Sequence, residues 1–185
     1  MTSSDIRIIT TGGTIDAAEI KEDGSYKFAG SSIPKMLEQW GIHIPYTFTY
    51  LPPIDSLLMN DDYRQGILKS CLDAPEKIIL ITHGTDTMVE TAQFLHGKIT
   101  GKTVMLVGAM IPANQANTDA HMNLGFATGS LLTYPQTGVY IAMKGSYFFP
   151  ILWWKIELRL LLISENSKKS LLLSKERFYF SSGGD

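Results

Sequence analysis

The chain has a single cysteine, Cys71, among its 185 residues. That excludes an intrachain disulfide and any cysteine-rich metal framework. Histidine is sparse as well. His43, His83, His96 and His121 are scattered, with no pair at the close helical spacing of a zinc motif. Neither a metal nor a cofactor is expected. Charge of one sign is not in excess, since 16 Lys and Arg stand against 18 Asp and Glu for a formal net charge of −2. A nucleic-acid partner would require a basic face, and no basic cluster occurs before the last third of the chain. Long apolar runs are missing too. Residues 151–154 and 160–163 are separated by Lys155, Glu157 and Arg159, too many charges for a membrane span of about 20 apolar residues. No membrane partner is expected. The first seven residues lack a basic start followed by an apolar stretch, so the expected location is cytoplasmic.

What is present is a repeated device: a short buried strand that runs straight into a polar turn. Residues 78–81, Ile-Ile-Leu-Ile, form a continuous apolar run of the kind found in parallel strands covered on both faces. Thr82, His83, Thr85, Asp86 and Thr87 then crowd hydroxyls, an imidazole and a carboxylate around Gly84, ahead of a helical pattern that Asp86 or Thr87 can cap. Residues 6–10 repeat the arrangement and open into Thr11-Gly12-Gly13-Thr14-Ile15-Asp16. Two glycines allow a sharp turn and a close backbone approach to a ligand. The turn contains neither Gly-x-Gly-x-x-Gly nor Gly-Lys-Ser/Thr, which argues against a nucleotide site.

In order, the chain alternates strands and helices, the pattern of an α/β fold with a parallel sheet, helices on both faces and right-handed crossovers. Ligands of such sheets sit at the carboxyl ends of the strands, where both polar turns lie. Residues 17–30 read as a mobile lid with Tyr26 and Phe28 as its only large aromatics. Ser32 is placed to cap the next helix. Residues 47–51 read as a strand stopped by Pro52 and Pro53, leaving Asp55 and Ser56 exposed at its mouth. Asn60 is placed to cap a helix over 61–72. Met88, Ala92 and Leu95 form the inward stripe of the helix that follows the central turn. Gly108 opens a long loop, with Asp119 as a structural cap before a helix over 123–132, and 138–143 is a further strand.

The segments Thr10-Thr11-Gly12-Gly13-Thr14-Ile15 and Thr82-His83-Gly84-Thr85-Asp86-Thr87-Met88, followed by Val107-Gly108-Ala109-Met110-Ile111-Pro112 with Asp119 and Asn123-Leu124, resemble the bacterial-type asparaginase and glutaminase family. The resemblance covers residues 6 to about 143. It implies an amidohydrolase that converts L-asparagine to the acid and ammonia, with L-glutamine left open as a second substrate. Thr14 is the implied nucleophile, Tyr26 the loop tyrosine assisting it, and Thr85 the second reacting hydroxyl. The Thr85 backbone N–H is an implied oxyanion donor. Asp86 is implied to pair with the substrate α-ammonium and Ser56 with its α-carboxylate, although Leu57 stands where the family often has glutamine. Lys155 falls at the offset of the lysine that activates the second threonine, but without its surrounding motif. Ala109 and Met110 line the same region. A homo-oligomer is also implied.

Residues 1–150 are therefore expected to form the asparaginase N-terminal catalytic domain, and 151–185 an atypical tail. The tail has two readings. In one, Leu152, Ile156, Leu160 and Ile163 form the apolar stripe of a terminal helix; in the other, the coding frame has slipped just after Phe148–Pro150. Two alternatives to the enzyme also stand, a non-catalytic amino-acid-binding module and an inactive truncated product.

Overall fold

The computed structural model describes residues 5–41, 44–133 and 136–148. Among these residues are eight strands and four helices. β1 (Ile6–Gly12), β4 (Tyr46–Ile54), β5 (Ile78–Thr82), β6 (Thr103–Val107), β7 (Gly138–Met143) and β8 (Ser146–Phe148) form one sheet, and β2 (Ala17–Ile20) pairs with β3 (Tyr26–Phe28) in a separate hairpin. The helices are α1 (Ile33–Gln39), α2 (Asp61–Asp73), α3 (Met88–Leu95) and α4 (Ala120–Thr133). Strands and helices alternate as expected from α1 to β7, with an added β2–β3 hairpin after β1 and a short β8 after β7. No helix among the described residues is long and apolar enough to cross a membrane.

The main sheet runs β4-β1-β5-β6-β7-β8, parallel from β4 to β7. β8 returns antiparallel on β7. Its turn is two residues long, Lys144 at φ 52° and Gly145 at φ 73°, the paired positive φ values of a tight hairpin. The inner strands are apolar on both sides because both sides are covered. Ile8, Leu80, Met105 and Tyr140 lie in register on one face, where they meet Ile33, Met36 and Leu37 of α1 and Leu124, Ala127 and Leu131 of α4. Full burial of a leucine such as Leu131 stabilises by roughly 1.5–3 kcal/mol. Neighbouring strand residues, Ile9, Ile81, Leu106 and Ile141, are equally buried and point the other way, as a period of two requires. Met88, Ala92 and Leu95 of α3 are buried as the helical stripe indicated.

The expectation of uniformly right-handed crossovers does not hold. β1 to β4 steps one way across the sheet through α1, and β6 to β7 steps the opposite way through α4, yet both helices pack on the same face. Two parallel connections with that geometry have opposite hands. The right-handed rule is a packing preference, and here the long loop 108–119 carries the chain across the strand ends before α4 begins. Asp119 organises that loop. Its carboxylate accepts from Met110 N (2.9 Å) and Ile111 N (3.0 Å), so its side chain brackets the loop instead of capping α4. Asn123 completes the bracket by donating to Gly108 O (3.0 Å) and accepting from Lys144 N (2.8 Å). α4 begins at Ala120, earlier than its sequence pattern indicated.

Two local expectations are corrected by register and backbone angle. β4 does not stop at Leu51 but runs through Pro52 and Pro53. It is an edge strand, where a missing N–H is tolerated, and its pairing with β1 slips between Thr10↔Tyr50 and Gly12↔Ile54, which takes the prolines out of the ladder. Within the stretch read as a lid, Ala17–Ile20 and Tyr26–Phe28 pair as a hairpin, with Ile20 opposite Tyr26 and Ala17 opposite Phe28. Ser32 precedes α1 in a helical conformation, φ −76° and ψ −15°, and makes no side-chain cap. The extended backbone that aims a capping oxygen is absent there. At α2 the expected cap is present, Asn60 Oδ1 accepting from Tyr63 N at 2.9 Å.

Candidate active site

The polar turns meet at the carboxyl ends of β1, β4 and β5. Gly13 has φ 73°, and a Cβ placed on it would stand 2.3 Å from Gly84 N, so the turn after β1 lies directly on the turn after β5. Any side chain at Gly13 would force the two turns apart. Ser56 approaches Gly84 from the other side, where a Cβ on Gly84 would lie 2.5 Å from Ser56 Oγ. Thr14, Thr85 and Ser56 are thus brought together by three strand ends. Ser56 is not exposed, as its sequence position had suggested, but 1% accessible, and its hydroxyl is buried without a hydrogen-bond partner among the described residues. The short 3₁₀ turn Ser56–Leu58 after β4 folds it inward. A hydroxyl left so costs about 1–3 kcal/mol unless something else satisfies it.

Thr14 opens a 3₁₀ turn, Thr14–Asp16, and is 6% exposed. The hairpin β2–β3 returns Tyr26 to it, with the two hydroxyl oxygens 3.0 Å apart. Among the described residues this is the one direct contact between expected reacting groups. It depends on the hairpin register, because Tyr26 and Phe28 point inward while Lys27 between them is exposed.

Asp16, which sequence reasoning passed over, ties this assembly together. It is 2% exposed, and its carboxylate accepts from Ser31 Oγ (2.9 Å), Ser32 N (2.8 Å) and Thr82 Oγ1 (3.3 Å). The base of the hairpin is thereby fastened to the end of β5. Burial pushes the Asp16 carboxyl above the usual carboxylate range, and the three donors pull it back in part. Thr11 adds a second fastening, donating from Oγ1 to Thr82 O at 2.7 Å. Asp16 follows Thr14-Ile15 directly, but only the hairpin's return to Ser31 and Ser32 reveals its partners.

His83 was also passed over. It is fully buried, with Nδ1 2.7 Å from Gly84 O and Nε2 2.8 Å from Thr91 Oγ1. Arg64 Nε donates to the same Thr91 oxygen at 3.2 Å, and Arg64 Nη1 pairs with Asp61 at 3.0 Å. Burial lowers the His83 pKa to about 4; the Gly84 bond opposes that in part, and the Arg64 charge adds the smallest push, downward. The imidazole is neutral at pH 7. Nothing in the sequence joins Arg64, His83 and Thr91, because three different elements contribute them.

The remaining expected residues are more open. Thr85 is half-buried, and its backbone N–H has no acceptor among the described residues. Asp86 is exposed and makes no side-chain hydrogen bond or ion pair with any described residue. Thr87 stands at the start of α3 but donates its hydroxyl to Ser56 O (2.8 Å), pinning the two turns together instead of capping the helix. The loop after β6 also reaches the site's first turn, through Ala113 N to Ile15 O at 3.4 Å and Asn114 Nδ2 to Ala18 O at 2.8 Å. Ala109 is buried and Met110 exposed. Lys155 and the stripe Leu152, Ile156, Leu160 and Ile163 lie outside the described residues. Among the described residues no group of three or more His, Cys, Asp or Glu could hold a metal ion.

Comparison with known proteins agrees with this architecture. The chain is 29% identical over 157 residues to the glutaminase-asparaginase of Acinetobacter glutaminasificans, covering 78% of this chain and 47% of that protein. It is 35% identical over 131 residues to the "Probable L-asparaginase periplasmic" of Haemophilus influenzae, covering 64% of this chain and 36% of that protein. The solved structure of a "Probable Cytoplasmic L-asparaginase" from Campylobacter jejuni superposes with a TM-score of 0.65 at 30% identity, over 80% of this chain and 46% of that one. The chain thus spans about half the length, or less, of these relatives. The family model described as the asparaginase N-terminal domain matches residues 5–158, a segment that passes position 150 and includes Lys155. The α/β sheet, the three converging turns and this match place the chain in the asparaginase family.

Proposed function

We propose that the protein is an amidohydrolase that hydrolyses L-asparagine to L-aspartate and ammonia, with L-glutamine open as a second substrate. The observation that carries this reading is the 3.0 Å contact between the hydroxyls of Thr14 and Tyr26 where the turns of β1 and β5 meet. Thr14 Oγ attacks the side-chain amide carbon, and its proton passes to the Tyr26 oxygen. Tyr26 gives up its own proton toward the leaving nitrogen. The C–N bond breaks, ammonia leaves, and an acyl-threonine remains. Water then attacks the ester, guided by the Thr85 hydroxyl, and restores Thr14. Lys155, outside the described residues, keeps the role of activating Thr85 on its sequence offset alone.

The surrounding groups hold the substrate. Asp86, exposed at the start of α3, takes the α-ammonium; a carboxylate there is further favoured by the helix dipole. The unpartnered Ser56 hydroxyl gains an acceptor when an α-carboxylate arrives. The Thr85 N–H receives the negative oxygen of the tetrahedral intermediate. Asparagine and glutamine differ by one methylene, worth only about 1–3 kcal/mol in a pocket, so L-glutamine is open as a second substrate in this reading. Residues 1–150 act as the catalytic domain and 151–185 are an atypical tail, in a cytoplasmic homo-oligomer.

The test is a coupled ammonia assay with L-asparagine, with L-glutamine and without substrate, run beside Thr14→Ala. Ammonia released from asparagine by the unmutated chain and abolished in Thr14→Ala is the expected result. Release from neither amide would leave amino-acid binding without turnover.

A further inference from the structure

The buried imidazole of His83 bonds to the carbonyl of the residue that follows it, Gly84, at 2.7 Å. A carbonyl oxygen can only accept, so Nδ1 carries the proton. Nε2 is then a bare acceptor, and it receives the Thr91 hydroxyl at 2.8 Å, whose oxygen in turn receives Arg64 Nε–H at 3.2 Å. Met59 Sδ also lies 3.2 Å from His83 Nε2 and 3.5 Å from Thr91 Oγ1, but a thioether is a weak acceptor and the bare imidazole nitrogen is the stronger one for the Thr91 hydroxyl. Arg64 cannot accept, so the direction of the chain is fixed from Arg64 through Thr91 and His83 to Gly84 O. The tautomer of His83 is set by a guanidinium on α2 and a threonine on α3, both remote in sequence.

The consequence falls on the next atom along the backbone. Gly84 C=O and Thr85 N–H belong to one peptide, and no cis peptide bond occurs among the described residues. In a trans peptide the two groups point in opposite directions. Holding the carbonyl against the buried imidazole turns the Thr85 N–H away from it, outward from the core. That N–H has no acceptor among the described residues. A turn containing glycine has the backbone freedom to rotate this peptide, and a side-chain bond to its carbonyl removes that freedom.

We infer that His83 is a positioning residue, whose neutral, Nδ1-protonated imidazole, braced by Thr91 and Arg64, locks the Gly84–Thr85 peptide so that the Thr85 N–H faces the substrate amide as a preorganised oxyanion donor. The inference rests on the amidohydrolase reading for the identity of the oxyanion; the locked peptide stands on geometry alone. The full burial that holds His83 neutral at pH 7 is what keeps Nε2 an acceptor.

The test uses the full chain and two substitutions. His83→Leu keeps apolar bulk and removes the donor, whereas His83→Asn places an amide nitrogen near the position of Nδ1. With L-asparagine, His83→Leu is expected to lose roughly 10²-fold in kcat, the usual cost of an oxyanion donor, with KM changed no more than about three-fold. His83→Asn should recover at least about ten-fold of that loss. Long-range ¹H–¹⁵N spectra of the unmutated chain should show His83 as the Nδ1–H tautomer at pH 7. A folded His83→Leu protein with unmutated kcat, an Asn variant no better than Leu, or an Nε2–H or doubly protonated imidazole would each overturn the proposal. If the Leu variant does not fold, the tautomer decides. If the unmutated chain releases no ammonia, the amidohydrolase reading fails by itself, and the tautomer still decides whether His83 holds the peptide.

Discussion

The hydroxyl of Thr14 lies 3.0 Å from the hydroxyl of Tyr26, across a hairpin whose base is fastened by the buried carboxylate of Asp16. No strand of the main sheet supplies the tyrosine. The separate β2–β3 ribbon does, so the pair exists only while that ribbon keeps its register.

Tyr26→Phe keeps the ring and removes the oxygen. Activity on L-asparagine is expected to fall by about 10²- to 10⁴-fold, the usual range for one proton-transfer group. Stability should hardly change, since the lost bond is partly exposed. Initial rates and thermal unfolding, measured on the same preparation, check both halves; full activity in the phenylalanine variant would remove Tyr26 from the reaction.

Asp86 is exposed and free of described partners, so its replacement should leave the fold alone. Asp86→Asn is expected to raise KM for amino-acid amides by about 10- to 100-fold, as a charge-assisted hydrogen bond worth roughly 1.5–3 kcal/mol is weakened. An unchanged KM would mean that the α-ammonium is held elsewhere.

Gly13→Ala should damage the protein as a structure. The new Cβ meets the Gly84 backbone at 2.3 Å and sits on a residue with φ 73°, and neither the neighbour nor the angle can give cheaply. A loss of about 2–5 kcal/mol is expected from overpacking together with the left-handed conformation. Urea denaturation measures it, and a midpoint equal to that of the unmutated chain would show that the two turns are not in contact.

Acid should weaken the fold through His83. Its folded pKa of about 4 lies below the ordinary 6.5, so between those values the unfolded chain binds a proton that the native chain refuses. Stability is complete above pH 6.5 and falls by roughly 3 kcal/mol as pH drops to about 4. Asp16 acts in the opposite sense. Its raised folded pKa means that the native carboxyl takes up its proton before the unfolded one does, which returns some stability as pH falls through that pKa. His83→Asn should flatten the loss between pH 6.5 and 4, and Asp16→Asn should steepen its acid end. Denaturant titrations at pH 7, 5 and 4 distinguish these slopes from no change.

Much of the frame was legible in the residues themselves. The largely apolar runs at 6–10 and 78–81 fit buried parallel strands, because a strand covered on both faces needs no polar alternation. Asn60 as a cap and Met88, Ala92 and Leu95 as a stripe follow from local periodicity, and both are present. The glycine-and-threonine turns marked the strand ends where chemistry belongs, since turn residues report their own backbone needs.

What the tertiary structure decided are the relations that no local pattern encodes. The slip in the β1–β4 ladder carries an edge strand through two prolines that, read locally, should have ended it. The faces on which α1 and α4 pack set the opposite hands of two crossovers, a choice made by the core as a whole. Ser56 is turned inward by one 3₁₀ turn, and Asp16 finds its partners only after a hairpin has brought Ser31 and Ser32 back to it. His83 read as one more polar residue in a crowded turn. Its tautomer is fixed by Thr91 and Arg64, 8 and 19 positions away in the chain, because a buried hydrogen bond is specified by where helices settle on a sheet and not by the residues beside it.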